Sequence, residues 1–521
     1  MRIQKKTVLY AASVLTCGNL ILQALGFFYR ILLSRFAGAE GLGVYRLVNA
    51  AYLVLNAGCL SGVTVACSRL SAVNEARKEN GKVRAVLRLA FTVFFSLFAL
   101  CAAIVLLWKD TIAASLLGDV RCAKAFPFLL LCLALTGVEN IFKSLFIGLK
   151  QMQYTAASEV GEQAVRIIAV GILLFEYRGK DYGTIAMLIF AGMVCSEIFS
   201  AAFLTWLFRK SPYAKYPTEA SDAALRRQFF SIALPLSASA LAGNFISSAG
   251  AVLLPQRLIT AGLTYQQALS ALGVISGMAM PLLLLPMALV SSVCTALLPT
   301  ITAAQAMGDQ KRVCALIGRS VSTVGLIALP ATAVLIPLAP RLSLFFFRQP
   351  LTQEYVALLG AVAVVSYYQM ASGSLLNALG LQQWNVVTSV TAEVLQLLLI
   401  YRWCARPSLG IYGYLLAMLL TELLVFIINY SILQWQNGFS LRLFRRFGVP
   451  FLCGAVLFCW TRFFYTLFRQ ICATEISALL CTTIGAGGLY LLVLRLFGVR
   501  IFRYLSHRIE RTPFAPHNYL W

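Results

Sequence analysis

VLYAASVLTCGNLILQALGFFYRILLS (8–34) decides the fold class, because it is predominantly apolar and carries a single charge, Arg30. It exceeds the roughly 20 residues that cross a hydrocarbon core. Working outward with a window of that length gives fourteen candidate helices: 8–34, 44–66, 85–108, 125–148, 156–176, 184–207, 229–254, 268–299, 314–338, 353–379, 385–404, 410–433, 448–468 and 476–497. The fifth carries several charges and the eleventh is short. The 521-residue chain is 60% hydrophobic and 12% charged, where a soluble domain is nearer 45–50% and about 25%. The expectation is an all-α polytopic membrane protein.

The 43 Lys and Arg outnumber the 19 Asp and Glu, a net charge of +24. In a soluble chain that excess suggests nucleic acid. Here the basic residues lie mostly between apolar runs, where they orient spans and meet anionic phospholipids, so no nucleic-acid partner is expected. MRIQKK (1–6) followed by an apolar run has the charge order of a signal peptide, but the run continues past Phe28 with no A-x-A-like site, so it reads as an uncleaved first span. An even number of spans places both ends on one side, and the larger share of Lys and Arg falls there. Both termini are therefore expected in the cytoplasm of a bacterial plasma membrane.

The layout divides as 1–208 (spans one to six), 209–440 (spans seven to twelve) and 441–521 (two further spans and a basic tail). Spans six and twelve are each followed by a basic loop: Arg209, Lys210, Lys215, Arg226 and Arg227 in one case, Arg442, Arg445 and Arg446 in the other. Two six-helix lobes plus two C-terminal helices is the repeat logic of many transporters. Segment 68–90 reads either as a short amphipathic helix on the inner surface or as a solvated linker. Prolines concentrate at Pro235 and Pro255 around span seven, Pro281, Pro286 and Pro299 in span eight, and Pro330, Pro337 and Pro340 in span nine, where kinks are expected.

There is no G-x-x-x-x-G-K-[ST], H-E-x-x-H or G-x-S-x-G, and no acid–base constellation suited to catalysis. The 14 cysteines show no C-x-x-C, and the two histidines, His507 and His517, lie in the tail. Neither an enzyme nor a metal or other cofactor is expected. A membrane glycosyltransferase or polymerase would ordinarily keep a long outer loop with a catalytic cluster, and none is present.

The chemistry lies in the intramembrane charges, each costing roughly 2.5–3.5 kcal/mol on insertion scales unless it faces water or a partner. Glu139 and Lys143 in span four, and Glu162 and Arg166 in span five, stand four apart and can pair on one helical face. The two pairs could join in one polar seam, or serve helix packing alone. Glu197, Glu393 and Glu422 are isolated acids in spans six, eleven and twelve. Asn244 and Asn377 add polarity in spans seven and ten. Glu139, Glu162, Glu197, Glu393, Glu422, Asn244 and Asn377 are candidates for holding a monovalent cation or a proton. Arg30 has no acid within four residues. Its fixed fork of donors suits phosphate, and the alternative is that it snorkels to headgroups. Arg30, Lys143 and Arg166 are the candidate substrate-binding cations.

Several stretches resemble one family: GFFYRILLSRFAGAEGLGVYRL (26–47), EQAVRI (162–167), GMAMPLLLLPMAL (277–289), LLPTITAA (297–304) and LLNALGLQQ (375–383). They are similar to the stage V sporulation protein B group of the multidrug/oligosaccharidyl-lipid/polysaccharide exporter superfamily, through the first twelve spans. The resemblance implies a fourteen-helix, two-lobed, monomeric flippase working by alternating access on undecaprenyl-pyrophosphate-linked oligosaccharides, including the peptidoglycan precursor lipid II. It implies that Arg30 lines a cationic cavity and that spans thirteen and fourteen form a groove for the lipid tail. Two departures stand out: Ile31 follows Arg30 where the lipid II flippases place an acid, and span eight lacks their basic residue. A cation-coupled multidrug exporter of the same fold is the alternative, and would favour acids in the cavity.

Overall fold

Gly38 sets the first boundary. At φ 68° and ψ −176° it adopts backbone that side chains disfavour, and it breaks the long helix α1 (Arg2–Ala76) into the first two expected spans. The computed structural model describes residues 2–177, 179, 181–216, 223–351, 353–438, 448–472 and 474–496. The basic residues Arg442, Arg445 and Arg446, and the tail with His507 and His517, lie outside the described residues.

Every regular element among the described residues is a helix. After α1 come α2 (Asn80–Leu107), the short α3 (Lys109–Thr111), α4 (Phe126–Gly148), α5 (Met152–Glu176), α6 (Tyr182–Lys210), α7 (Ala223–Thr260) and α8 (Tyr265–Val274). They are followed by α9 (Met280–Leu283), α10 (Met287–Ala306), α11 (Gln310–Phe347), α12 (Gln353–Ala378), α13 (Gln382–Trp403), α14 (Gly410–Asn437), α15 (Val449–Ile471) and α16 (Glu475–Leu496). Local signals fix several starts. Asp181 caps α6 by accepting from the Gly183 and Thr184 N–H groups, and Thr264 with Gln267 forms a reciprocal capping box on α8.

Thirteen of the described helical segments are long and apolar enough to cross a membrane. The count differs from fourteen for three reasons. The first two spans merge in α1, α5 carries too many charges to qualify though it is fully helical, and expected span eight divides in two. The division at span eight corrects the single helix 268–299. A π-turn at Ile275–Ala279 follows α8, Pro281 is the second residue of the four-residue α9, and Pro286 sits at the N-cap of α10. Proline lacks the N–H a continuous helix needs. The prolines at 235, 255, 299, 330, 337 and 340 remain inside their helices. Segment 68–90 is neither a separate amphipathic helix nor a linker: it is the end of α1 and the start of α2, joined by a tight turn with Lys78 at φ 61°.

Two compact units share these helices. The first runs to Pro281 and includes 346–349 and 390–421. The second holds Leu282–Phe345, Pro350–Ser389 and the described residues from Glu422 on. In the first, α1 is the central element, packing against α2, α4, α5, α6, α7 and α8. Phe94, Phe142, Phe146 and Phe229 anchor a core among α1, α2, α4 and α7. Gly43 and Gly273 let α1 and α8 approach backbone to backbone: a Cβ on Gly43 would overlap the Leu269 carbonyl, and one on Gly273 the Ala39 carbonyl. In the second unit, Ala333, Leu457 and Ala486 join α11, α15 and α16, with Trp460 and Tyr490 packed around them.

Candidate functional site

The intramembrane charges of α4, α5 and α6 form one network. Lys143 pairs with Glu139 on its own helix, and Arg166 with Glu162 on its own, as the four-residue spacing leads one to expect. The helices are then cross-linked. Lys143 Nζ reaches Glu162 Oε2 at 3.3 Å and Glu159 Oε1 at 3.8 Å, and Arg166 donates to Glu197 Oε1 at 3.0 Å and to Ser196 Oγ at 3.2 Å. One polar seam therefore runs through three helices.

Glu197 corrects the expectation of an isolated acid. It lies 31 positions from Arg166, so no local spacing rule could pair them. Glu139, Glu162 and Glu197 are buried, and each offers a carboxylate oxygen within 4.8 Å of those of the other two. Around them stand Tyr52, bonded to Thr136 at 3.0 Å, and Tyr29, whose hydroxyl is buried without a partner. Burial of ions on this scale holds only when nearly every donor and acceptor is matched.

Arg30 stands apart. Its side chain is exposed, and among the described residues it makes no ion pair. Its charged neighbour is another cation, Arg46, close enough for the two charges to interact. Arg46 was not singled out by sequence, although it lies in the family-like stretch 26–47. It donates to the Ser276 carbonyl of the π-turn. Among the described residues neither guanidinium makes an ion pair with an acid. Glu40, the nearest acid in sequence, is engaged elsewhere: it accepts from Arg121 at 2.9 Å, and Arg121 also grips Asp119.

The remaining candidates do not join either group. Glu393, on α13, is half-buried and its Oε2 has no hydrogen-bond partner. Glu422, on α14 in the second unit, likewise has an unpartnered Oε2 and lies beside Ser366. Asn244 donates to the Ala240 carbonyl of its own helix at 2.9 Å, and the Asn377 side chain is exposed at the end of α12.

The chain is similar to several known proteins. A family model described as "Polysaccharide biosynthesis protein" matches residues 8–305. The chain is 24% identical over 465 residues to stage V sporulation protein B of Bacillus subtilis, covering 87% of this chain and 89% of that one. It is 26% identical over 422 residues to the lipid II flippase MurJ of the same organism, covering 74% and 75%. In fold it is similar to a multidrug resistance MATE family transporter of the MOP superfamily solved in an inward-facing conformation, with a TM-score of 0.65 at 15% identity over 81% of this chain and 96% of that one. It is also similar to a MOP superfamily transporter from Pyrococcus furiosus, with a TM-score of 0.56 at 15% identity over 81% and 95%. With a family model covering more than half its length and helices of the MOP transporter fold, this multi-pass membrane protein belongs to the polysaccharide biosynthesis protein family.

Proposed function

We propose that the chain is a flippase for an undecaprenyl-pyrophosphate-linked oligosaccharide, a peptidoglycan precursor of the lipid II kind. It would act as a monomer in the bacterial cytoplasmic membrane, with both termini cytoplasmic, by alternating access. The observation that carries the reading is Arg30, an exposed guanidinium in the first span with no ion pair among the described residues and with Arg46 as its charged neighbour. A dianionic pyrophosphate would match that pair's donors and offset their mutual repulsion. Lys143 and Arg166 are held by carboxylates, so in this reading they organise the first unit and Arg30 makes the phosphate contact. The relation to stage V sporulation protein B and to a lipid II flippase supports the same substrate class.

The lipid tail needs an apolar surface. Helices α15 and α16 expose Phe451, Phe463, Ile471, Ile484 and Leu491, a face suited to a prenyl chain. The test is complementation of a strain lacking its lipid-precursor flippases. Arg30→Ala should insert and fold normally yet fail to support growth, and Arg30→Lys should support it weakly, since an ammonium keeps the charge but loses the fork. Full growth with Arg30→Ala would remove the assignment.

A second reading, a cation-coupled multidrug exporter, draws on the carboxylate trio and on the fold shared with MATE transporters. It predicts drug resistance on overexpression. The trio's engagement by Lys143 and Arg166 weakens it, because few oxygens are left for a cationic drug.

A further inference from the structure

The network on α4, α5 and α6 does not balance its charge. Glu139, Glu162 and Glu197 bring three negative charges to a buried place, and Lys143 and Arg166 bring two positive ones. The fourth acid, Glu159, is 39% exposed and touches only the edge, at 3.8 Å from Lys143, so it meets its own surroundings. Among the described residues the groups around the trio supply no further cation: α1 contributes Tyr29 and Tyr52, α4 itself contributes Cys132 and Thr136, and α6 itself contributes Ser196. A net charge left in a membrane-embedded core is strongly disfavoured, and a carboxyl group relieves it by keeping its proton.

The oxygens say where that proton sits. Glu162 has both of its oxygens engaged, one by Arg166 and the other by Lys143. Glu197 gives Oε1 to Arg166 at 3.0 Å, while its Oε2 is buried with no hydrogen-bond partner. Glu139 is held on one oxygen by Lys143 and lies within carboxylate reach of Glu197.

We infer that the buried carboxylate trio is a protonation site, carrying one proton on Glu197 Oε2 that is donated to Glu139. The O–H bond forms with a proton from water and breaks by returning it, and no other bond changes. A metal ion fits poorly. Hard cations of the calcium and magnesium kind gather six or more oxygens, and here an ammonium and a guanidinium already occupy the trio and would repel one. Losing the proton leaves Glu139 of α4 and Glu197 of α6 as facing anions. The site thereby couples proton occupancy to the packing of α4 against α6, through which a proton gradient can bias the first unit. This inference goes beyond the substrate reading above and does not depend on it.

The experiment is infrared difference spectroscopy of the full chain in lipid nanodiscs at neutral pH, where a protonated carboxyl absorbs apart from a carboxylate. Wild type should show a buried carboxylic C=O band that Glu197→Gln abolishes and that Glu139→Gln shifts through the changed acceptor. Glu393→Gln and Glu422→Gln should leave that band in place. Glutamine keeps the oxygen Arg166 needs and adds an N–H at the orphaned position, so Glu197→Gln should remain folded, and Glu139→Gln is an independent check. A spectrum unchanged in both variants would overturn the inference, as would sodium or magnesium binding by calorimetry that Glu197→Gln abolishes. If Arg30→Ala complements fully while the band responds as expected, the lipid substrate reading falls and the proton site stands.

Discussion

The Arg46 side chain stands in for a backbone N–H that Pro281 cannot supply to the Ser276 carbonyl. Within the π-turn the Met280 N–H bonds to the Ile275 carbonyl, five residues back. The next bond in that register would join residue 281 to the Ser276 carbonyl, but residue 281 is proline and has no N–H. Arg46, 230 positions away, donates to that carbonyl instead. A break in the eighth span is thus held by a cation in the second.

This pairing predicts a rescue. Arg46→Met should leave the Ser276 carbonyl unsatisfied and destabilise the folded protein by about 1–3 kcal/mol. Pro281→Ala restores a local donor, so the double variant should recover most of that loss. Thermal unfolding of the four proteins in detergent gives the double-mutant cycle, and additive effects would mean that Arg46 serves some other group.

Within the charged network, the acids should differ in cost. Glu162 bridges Lys143 and Arg166, so Glu162→Ala takes one partner from each cation at once, leaving Glu139 on Lys143 and Glu197 on Arg166. The loss should be of the order of 3–5 kcal/mol, the scale for breaking a buried pair. Glu159→Ala, removing a half-exposed acid at 3.8 Å, should cost well under 1 kcal/mol. Melting temperatures of the two purified variants check the ranking, and equal losses would contradict the bridging role.

Backbone approach between α1 and α8 makes a steric prediction. Gly273→Ala would drive a methyl into the Ala39 carbonyl, and Gly43→Ala into the Leu269 carbonyl. Each should destabilise by about 1–3 kcal/mol, the usual range for overpacking. Gly487→Ala in α16 meets nothing within 4 Å and should be neutral or slightly stabilising. Expression level and melting temperature separate the two outcomes.

A pH dependence is expected at the start of α6. The Asp181 carboxyl is pushed down to about 2, first by the Lys124 ammonium bonded to it at 2.6 Å and then by Thr184 and the Gly183 N–H. A depressed carboxylate stabilises the fold above its unfolded pKa, near 3.9, and the contribution is lost as pH falls from there through about 2. Because the pair is largely exposed, the effect should be small. Asp181→Asn keeps the helix cap and removes the charge, so its melting temperature should fall below wild type at neutral pH and converge with it toward pH 2. A constant difference across that range would exclude the ion pair as the cause.

Where periodicity and length carry the information, sequence reading succeeds. The apolar runs mark the spans from α2 to α16, and the Glu139–Lys143 and Glu162–Arg166 pairs follow from helical spacing alone. Glu197 looks isolated because its partner is 31 positions away. Span eight looks continuous because hydropathy does not register a missing N–H, although Pro281 and Pro286 carry that signal.

The sequence by itself determined that this chain spans a membrane repeatedly, where most of its helices lie, which charges stand inside them and which family it resembles. Those properties follow from transfer free energy and from the 3.6-residue repeat, and both are local. Only the tertiary structure decided which charges are matched. It gave Glu197 to Arg166, joined Lys143 to Glu162, set Arg46 on the Ser276 carbonyl and left Arg30 beside a second cation. Pairing energy depends on distances across helices, and those are fixed by packing rather than by order along the chain.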